Sequence, residues 1–491
     1  MSSETNPAGV RPLAILAAVF CILGSAQAGE SVEIPTGQTI TPDAANGAIF
    51  QDLNPGHPEA PDMRAGQAAA EAISPDGRML AILTSGYNVY FGADGKAVPE
   101  LSTEYVFLFD ITGPAPKQVQ VLSLQNTFEG LAWAPSSDRL YVSGGSDDSV
   151  HEFVRSGAKF EQGRVIKLGH DACVGLNLPS TPKYWTGPTA NPVTRRCGPV
   201  VSSLAVSPDG TRLLAANFQD DSVSLVDLAS GRVVAEQDLR PGIIDPKDHG
   251  RPGGSFPRSV AWSAPNRAYV ASERDREIIS LRVSGDRMRV EHRVAVRGQP
   301  MAVIANRAGS RVYAALDTAS GVAVINTASD KLVETFDATA PEEIFDNKKI
   351  LGGANTDALA LTPDERTLLV SNGGQNAVAV VHLSARARGI ADDRSKAGDD
   401  DDRGPDRSAV MGLVPTGRYP SGVATSKDGA TWYVVNFKSD TGPNAVRCAK
   451  NDSAARNCLP DAWVARTGDT KNIFDDSRTI VAAQNRQEMR L

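Results

Sequence analysis

One short turn recurs along the whole chain and limits what it can fold into. Ser74-Pro75-Asp76-Gly77 returns as Ser207-Pro208-Asp209-Gly210. Five degenerate copies start at Ala134, Ser263, Asn306, Thr362 and Ser426. Proline presets φ for the first turn position, and Asp-Gly supplies a tight reversal, so each copy is expected to be a hairpin turn. The flanks repeat as well. A short apolar run such as Ser203-Leu204-Ala205-Val206 precedes the turn, and a second run such as Arg212–Asn217 follows it. A polar turn leads to Ser222–Asp227. The turn at Ala229-Ser230-Gly231-Arg232 then leads to Val233–Glu236. Four antiparallel strands per unit, repeated seven times, predict an all-β, seven-bladed β-propeller in which each blade covers its neighbour's apolar face. The 44 Gly and 31 Pro agree with a chain of many short strands and turns.

The repeats carry a resemblance. Tyr433-Val434-Val435-Asn436, Asn217 before the third strand, and Val223–Leu228 with its following glycine turn resemble the YVTN-type (YncE-like) propeller repeat family. The likeness spans roughly residues 32–440. Within that family it resembles the propeller half of bacterial proteins that join such a ring to an alkaline-phosphatase-type phosphoesterase. This chain stops soon after its last clear repeat, and its tail holds no histidine for a metal phosphoesterase. The resemblance therefore implies a propeller without that activity, or a propeller partner of a separate phosphoesterase.

Ring closure is expected at the chain ends. Val32–Gly37 resembles Leu413–Gly417, which leads from a fourth strand into a first. The N-terminal segment is thus expected to supply the outer strand of the last blade. Three segments follow: 1–28 as a signal peptide, 29–445 as the propeller with an acidic insertion at 385–408, and 446–491 as a tail. Arg11, the apolar run Leu13–Leu23 and Ala26-Gln27-Ala28 have the order of a secretory signal, and the run is too short to span a bilayer. A periplasmic or secreted location is expected. After cleavage Cys173, Cys197, Cys448 and Cys458 remain, an even number that fits disulfides. The pairing Cys173–Cys197 and Cys448–Cys458 is favoured because each pair shares one polar segment; a zinc site would need closer Cys or His spacing.

Charge excludes one broad class. The 50 Lys+Arg against 58 Asp+Glu give a net charge of −8, without the basic stripe of a nucleic-acid binder. No other run is apolar and long enough to span a membrane.

The turns begin at residues 74, 134, 207, 263, 306, 362 and 426, so unit length varies from 43 to 73 residues. The excess is expected at Thr84–Thr103, Ser156–Val200, Arg240–Pro257, Ala338–Thr356 and Ser384–Pro420, all leaving one rim. Long loops gathered on one rim point to a binding face over the central channel. Glu129, Arg258, Gln299, Asn355 and Ser421 each lie just before an innermost strand and are the candidate channel-mouth residues. Arg258 suits a carboxylate or phosphate. The same residues could simply solvate a channel.

Other motifs are weaker. Asp147-Asp148, Asp220-Asp221, Arg274–Arg276 and Gln375-Asn376 are expected to make turns. Arg251–Gly254 is glycine-rich but lacks the strand–loop–helix context of a phosphate cradle. The six histidines are scattered, and no metal ligand set or cofactor is implied. The run Asp399–Asp402 with Asp406 reads as a solvated acidic loop. The expected role is a binding module for a protein, glycan or small ligand, without chemistry of its own. The alternative is a lactonase-like hydrolase with Glu129 as general base and Arg258 as electrophile.

Overall fold

The computed structural model describes residues 47–61, 63–85, 98–170, 200–340, 352–390 and 405–438, with 32–33, 39–40, 45 and 488–490. The signal segment, the four cysteines expected in disulfides, the acidic run Asp399–Asp402 and most of the tail lie outside these residues.

The recurring turns build their hairpins as the sequence implies. Ser74 Oγ donates to Asp76 Oδ1 at 2.5 Å and accepts from Met79 N at 2.9 Å. Ser207 and Asp209 repeat the pattern, Thr362 and Asp364 substitute a threonine, and Ser426 and Asp428 close the last copy. In the degenerate copy at Asn306, the amide oxygen takes the serine's role toward Arg311 N. Local side-chain bonds thus fix these five reversals before any long-range packing is needed.

The fold is an all-β propeller of four-stranded antiparallel blades. Six blades are each built from four consecutive strands, the first from Ala68–Ile73 to Lys117–Leu124 and the sixth from Thr356–Leu361 to Ala409–Pro415. The expectation of seven regular blades is corrected: six are contiguous runs, and the ring is closed by a composite sheet. That sheet joins Pro420–Thr425 and Trp432–Asn436 to Glu488–Arg490 and, outermost, Phe50–Asp52. An N-terminal strand does take the outer place, but it is Phe50–Asp52. Val32–Glu33 pairs locally with Thr39–Ile40 instead. Ser421 Oγ donates to Ala68 O at 2.6 Å, tying the composite sheet to the first blade.

The core is segmented. Each apolar cluster is shared by two adjacent sheets, as where Leu80, Tyr105 and Phe107 of the first blade meet Tyr433 and Val435 of the composite one. No sheet could bury these side chains alone, so the ring is the unit of stability.

Two loop assignments change. Lys159–Lys167 is the outer strand of the second blade, so that blade's insertion begins only after it. Residues 385–408 lie between the third and fourth strands of the sixth blade, Ala377–His382 and Ala409–Pro415. In an up-and-down blade that connection leaves the face of the Ser-Pro-Asp-Gly turns. The described ends of the insertion, 385–390 and 405–408, therefore leave from the face of those turns and not from the face of the fourth-to-first connections.

Candidate functional site

The channel mouth is assembled by a repeated irregularity. Six of the inner strands lose register with their partner near their start. The residue left over is Ala69, Ser202, Arg258, Met301 or Ser421 in five of them, and in the sixth the break spans Asp357. In the second blade Glu129 holds the equivalent place, one residue before Gly130 O accepts from Ser143 N. A β-bulge re-aims a side chain without disturbing the strand beyond it. Here it turns one residue per sheet toward the axis.

The residue two positions earlier makes a second ring. Gln67, Phe256, Asn355 and Tyr419 all take left-handed φ, between 51° and 60°. For a bulky aromatic this conformation is costly and persists only when its surroundings enforce it. Tyr419 is held by Asn376, whose Oδ1 accepts from Tyr419 N at 3.0 Å, and by Phe437 N donating to Tyr419 O. Phe256 is held by Asp221 Oδ1, which accepts its N–H at 3.0 Å.

Six residues of the first ring and Tyr419 of the second join in one cavity of about 270 Å³. Ala69, Glu129, Arg258, Met301, Asp357, Tyr419, Ser421, Phe437 and Lys438 line it. Arg258 pairs with Glu129 and lies 3.9 Å from Glu273. Its guanidinium also stands 5.0 Å from the Phe128 ring centroid and 5.7 Å from that of Phe218, which stacks on Phe256. Across the mouth, Lys438 Nζ lies 4.4 Å from the Tyr419 ring centroid.

The electrostatics of the mouth are unusual for a surface opening. Burial raises the Glu129 carboxyl and Glu273 adds to the rise, while Arg258 pulls it back. Glu273 is raised by burial too. Asp357 is raised to about 8, first by burial and then by Asp317 and Glu129, against Arg258 and a hydrogen bond with Tyr419. Burial and the Asp357 charge push the Tyr419 phenol up. Near neutral pH the mouth thus offers Asp357 largely as a neutral acid, a donor as well as an acceptor.

Of the residues expected at the mouth, Glu129, Arg258 and Ser421 line this cavity. Asn355 lies in the ring above it, and its Nδ2 donates to Asp317 Oδ1 at 2.8 Å. Gln299 receives a bond from Asp317 N and stays outside the cavity lining. Sequence reasoning missed Asp357, Tyr419, Phe437, Lys438 and Glu273. Aligning the inner strands on their bulges would have found Asp357, which is two residues from Asn355. Tyr419 stands two residues before Ser421 as Phe256 does before Arg258, and Phe437 follows Asn436 as Phe218 follows Asn217, so the repeat marks both positions. A cavity of about 500 Å³ at the other end is lined by Ile304, Leu361, Pro363 and turn residues, and its one carboxylate, Glu365, accepts from Arg307 N.

The remaining motifs resolve in different ways. Gly254 N donates to Glu277 Oε1 at 2.8 Å, so the Arg251–Gly254 loop is committed to its own scaffold. The strand-connecting turns place Asp148, Asp221, Arg276 and Asn376 at left-handed φ, which is where Asp and Asn are tolerated best. His170 is buried between the second and third blades. Its Nδ1 lies 2.7 Å from Asp148 Oδ1 and its Nε2 2.8 Å from Glu236 Oε1. Burial opposes its charge, but these carboxylates outweigh burial and raise it to about 10.

Among the described residues, no helix is long and apolar enough to cross a membrane. No protein-family model matches the chain, and no curated protein matches it in sequence. Solved structures show the fold. The WD40 repeats of RRP9 align at 9% identity with a TM-score of 0.52, over 78% of this chain and 89% of that one. The hydrazine synthase of Kuenenia stuttgartiensis aligns at 16% identity and a TM-score of 0.51, over 77% and 94%. A Lactobacillus plantarum protein aligns at 12% and 0.50, over 73% and 88%. At these identities the likeness speaks for the β-propeller architecture alone.

Proposed function

We propose that this propeller is an exported binding module that takes a small, hydroxyl- or carbonyl-rich ligand at its channel mouth. The reading rests on one observation: the cavity of about 270 Å³ in which Arg258, neutral Asp357, Ser421 and Lys438 converge beside Tyr419 and Phe437. The volume suits a molecule of roughly monosaccharide size rather than a protein loop. The aromatic faces offer an apolar platform, and the polar groups supply directed donors and acceptors. Export rests on the N-terminal run and its Ala26-Gln27-Ala28 site. N-terminal sequencing of the exported protein is expected to start near Gly29.

The hydrolytic reading asks Glu129 to accept a proton and Arg258 to polarise a carbonyl. The two lie together rather than across the channel, and they are paired with each other. The Glu129 carboxylate is therefore engaged by Arg258 before a substrate arrives, which disfavours it as a general base. Calorimetric titration with a panel of monosaccharides and small hydroxy acids tests the proposal. A saturable ligand whose affinity falls about tenfold or more in Arg258→Ala and Tyr419→Ala is the expected result. A panel with no binder, or turnover abolished by Arg258→Ala, would overturn it.

A further inference from the structure

Away from the channel, the seam between the second and third blades gathers a second group of side chains. His170 Nε2, Asp220 Oδ2 and Glu236 Oε1 all lie within 4.8 Å of one another. His170 follows the outer strand of the second blade, Asp220 sits in a strand-connecting turn of the third, and Glu236 lies on its outer strand. His170 Nε2 is 2.8 Å from Glu236 and 3.8 Å from Asp220. Bonds of about 2.0–2.2 Å in a tetrahedral site hold ligand atoms roughly 3.3–3.6 Å apart, a spacing these distances bracket.

Two observations separate this group from an ordinary surface cluster. Asp220 has a side chain only 5% exposed, and its Oδ2, the atom facing His170, has no hydrogen-bond partner. A buried carboxylate oxygen left unmatched is costly, and a cation would satisfy it. The other side of the imidazole is already locked. Asp148 holds Nδ1 at 2.7 Å and accepts from His170 N at 2.6 Å, which fixes the ring and leaves Nε2 toward the carboxylates. That carboxylate–imidazole support is how proteins orient a metal-binding histidine. Ser222 Oγ steadies Glu236 in the same way, at 2.6 Å.

We infer that His170 Nε2, Asp220 and Glu236 bind one divalent transition-metal ion, with Asp148 positioning the imidazole. One nitrogen and two carboxylate donors suit Zn²⁺, Co²⁺ or Mn²⁺ and leave a coordination position open. On binding, any proton on Nε2 passes to solvent and the nitrogen lone pair goes to the metal, while Nδ1 keeps its proton and donates a hydrogen bond to Asp148. The ion would clamp two blades at the insertion-bearing face, independently of any ligand at the channel mouth.

Co²⁺ titration of the chelator-stripped full chain tests this. One equivalent is expected to bind with a visible spectrum of nitrogen and oxygen ligation, releasing a proton detectable by calorimetry in two buffers. Asp220→Asn and Glu236→Gln are each expected to weaken binding about tenfold or more. The second variant changes a partly exposed group, so it keeps the test open if the first misfolds. No saturable binding below about 1 mM, wild-type affinity in a folded variant, or a thiolate-dominated spectrum would overturn the assignment.

Discussion

Two glutamate–arginine pairs in this molecule behave in opposite ways. On the outer part of the second blade, Glu152 is 2% exposed and receives Arg164 at 2.8 Å and Arg139 at 3.0 Å. Its carboxyl falls to about 2, driven first by the Arg164 hydrogen bond. At the axis, Glu129 keeps 28% of its surface and pairs with Arg258, yet its carboxyl rises. Accessible surface does not decide the outcome. The surface of Glu129 opens onto a narrow channel walled by protein, and one arginine there serves Glu129, Glu273 and Asp357. The rim supplies two arginines to one acid. A pair stabilises when counter-charge exceeds the cost of desolvation, and it stores proton affinity when it does not.

Glu71 takes the axial case to its limit. It occupies the inner-strand place held by Leu204, Val260, Val303, Leu359 and Val423 in other sheets. Both its carboxylate oxygens are buried without a hydrogen bond, and burial raises it well above the usual range. The oxygens lie against Gly422, where an added Cβ would come within 3.2 Å of Oε1.

The contrast can be broken by mutation. Arg164→Ala should have the largest effect, because it strips a buried carboxylate of its main partner; a loss of about 3 kcal/mol is expected in urea unfolding. A loss below about 0.5 kcal/mol would place Glu152 among ordinary surface pairs. Glu71→Leu should instead stabilise the fold by about 1–3 kcal/mol at neutral pH, since it removes an unsatisfied acid from an apolar place. An unchanged or lower melting temperature would show that Glu71 has a partner or a function.

The pH dependence sharpens the comparison with smaller effects. Glu152 is depressed on folding, so its contribution is present above the ordinary 4.5 and is lost as pH falls through about 2. Asp357 is raised, so its sign is reversed: its contribution is complete below the ordinary 3.8 and is lost as pH rises through about 8. Asp357→Asn should therefore flatten the decline in stability between pH 4 and 8, and Glu152→Gln should flatten the acid limb. Unfolding curves of both variants across pH 2–9 check this. Identical profiles would mean that rim and axis do not differ.

Much of this was legible from residues alone. The Ser74-Pro75-Asp76-Gly77 turn and four of its copies carry their own side-chain hydrogen bonds, so they announce those hairpins without help from the rest of the chain. Glu129, Arg258 and Ser421 were legible because position within a repeat predicts position around the axis. The acidic insertion 385–408 was put on the wrong face because Ser384–Pro420 was counted as one fourth-to-first connection, although its own end, Leu413–Gly417, carries the fourth strand Ala409–Pro415. Phe50–Asp52 gave no repeat signal, since a closing strand needs only a free edge to pair with.

The chain by itself determined the repeat, the hairpin turns and the alternation that makes each blade, since these depend on residues a few positions apart. Only the closed ring decided which acids share an arginine, why Asp357 keeps its proton, and that His170 meets Asp220 and Glu236. Those outcomes depend on desolvation and on charges brought together from separate blades, and neither exists until the blades are packed.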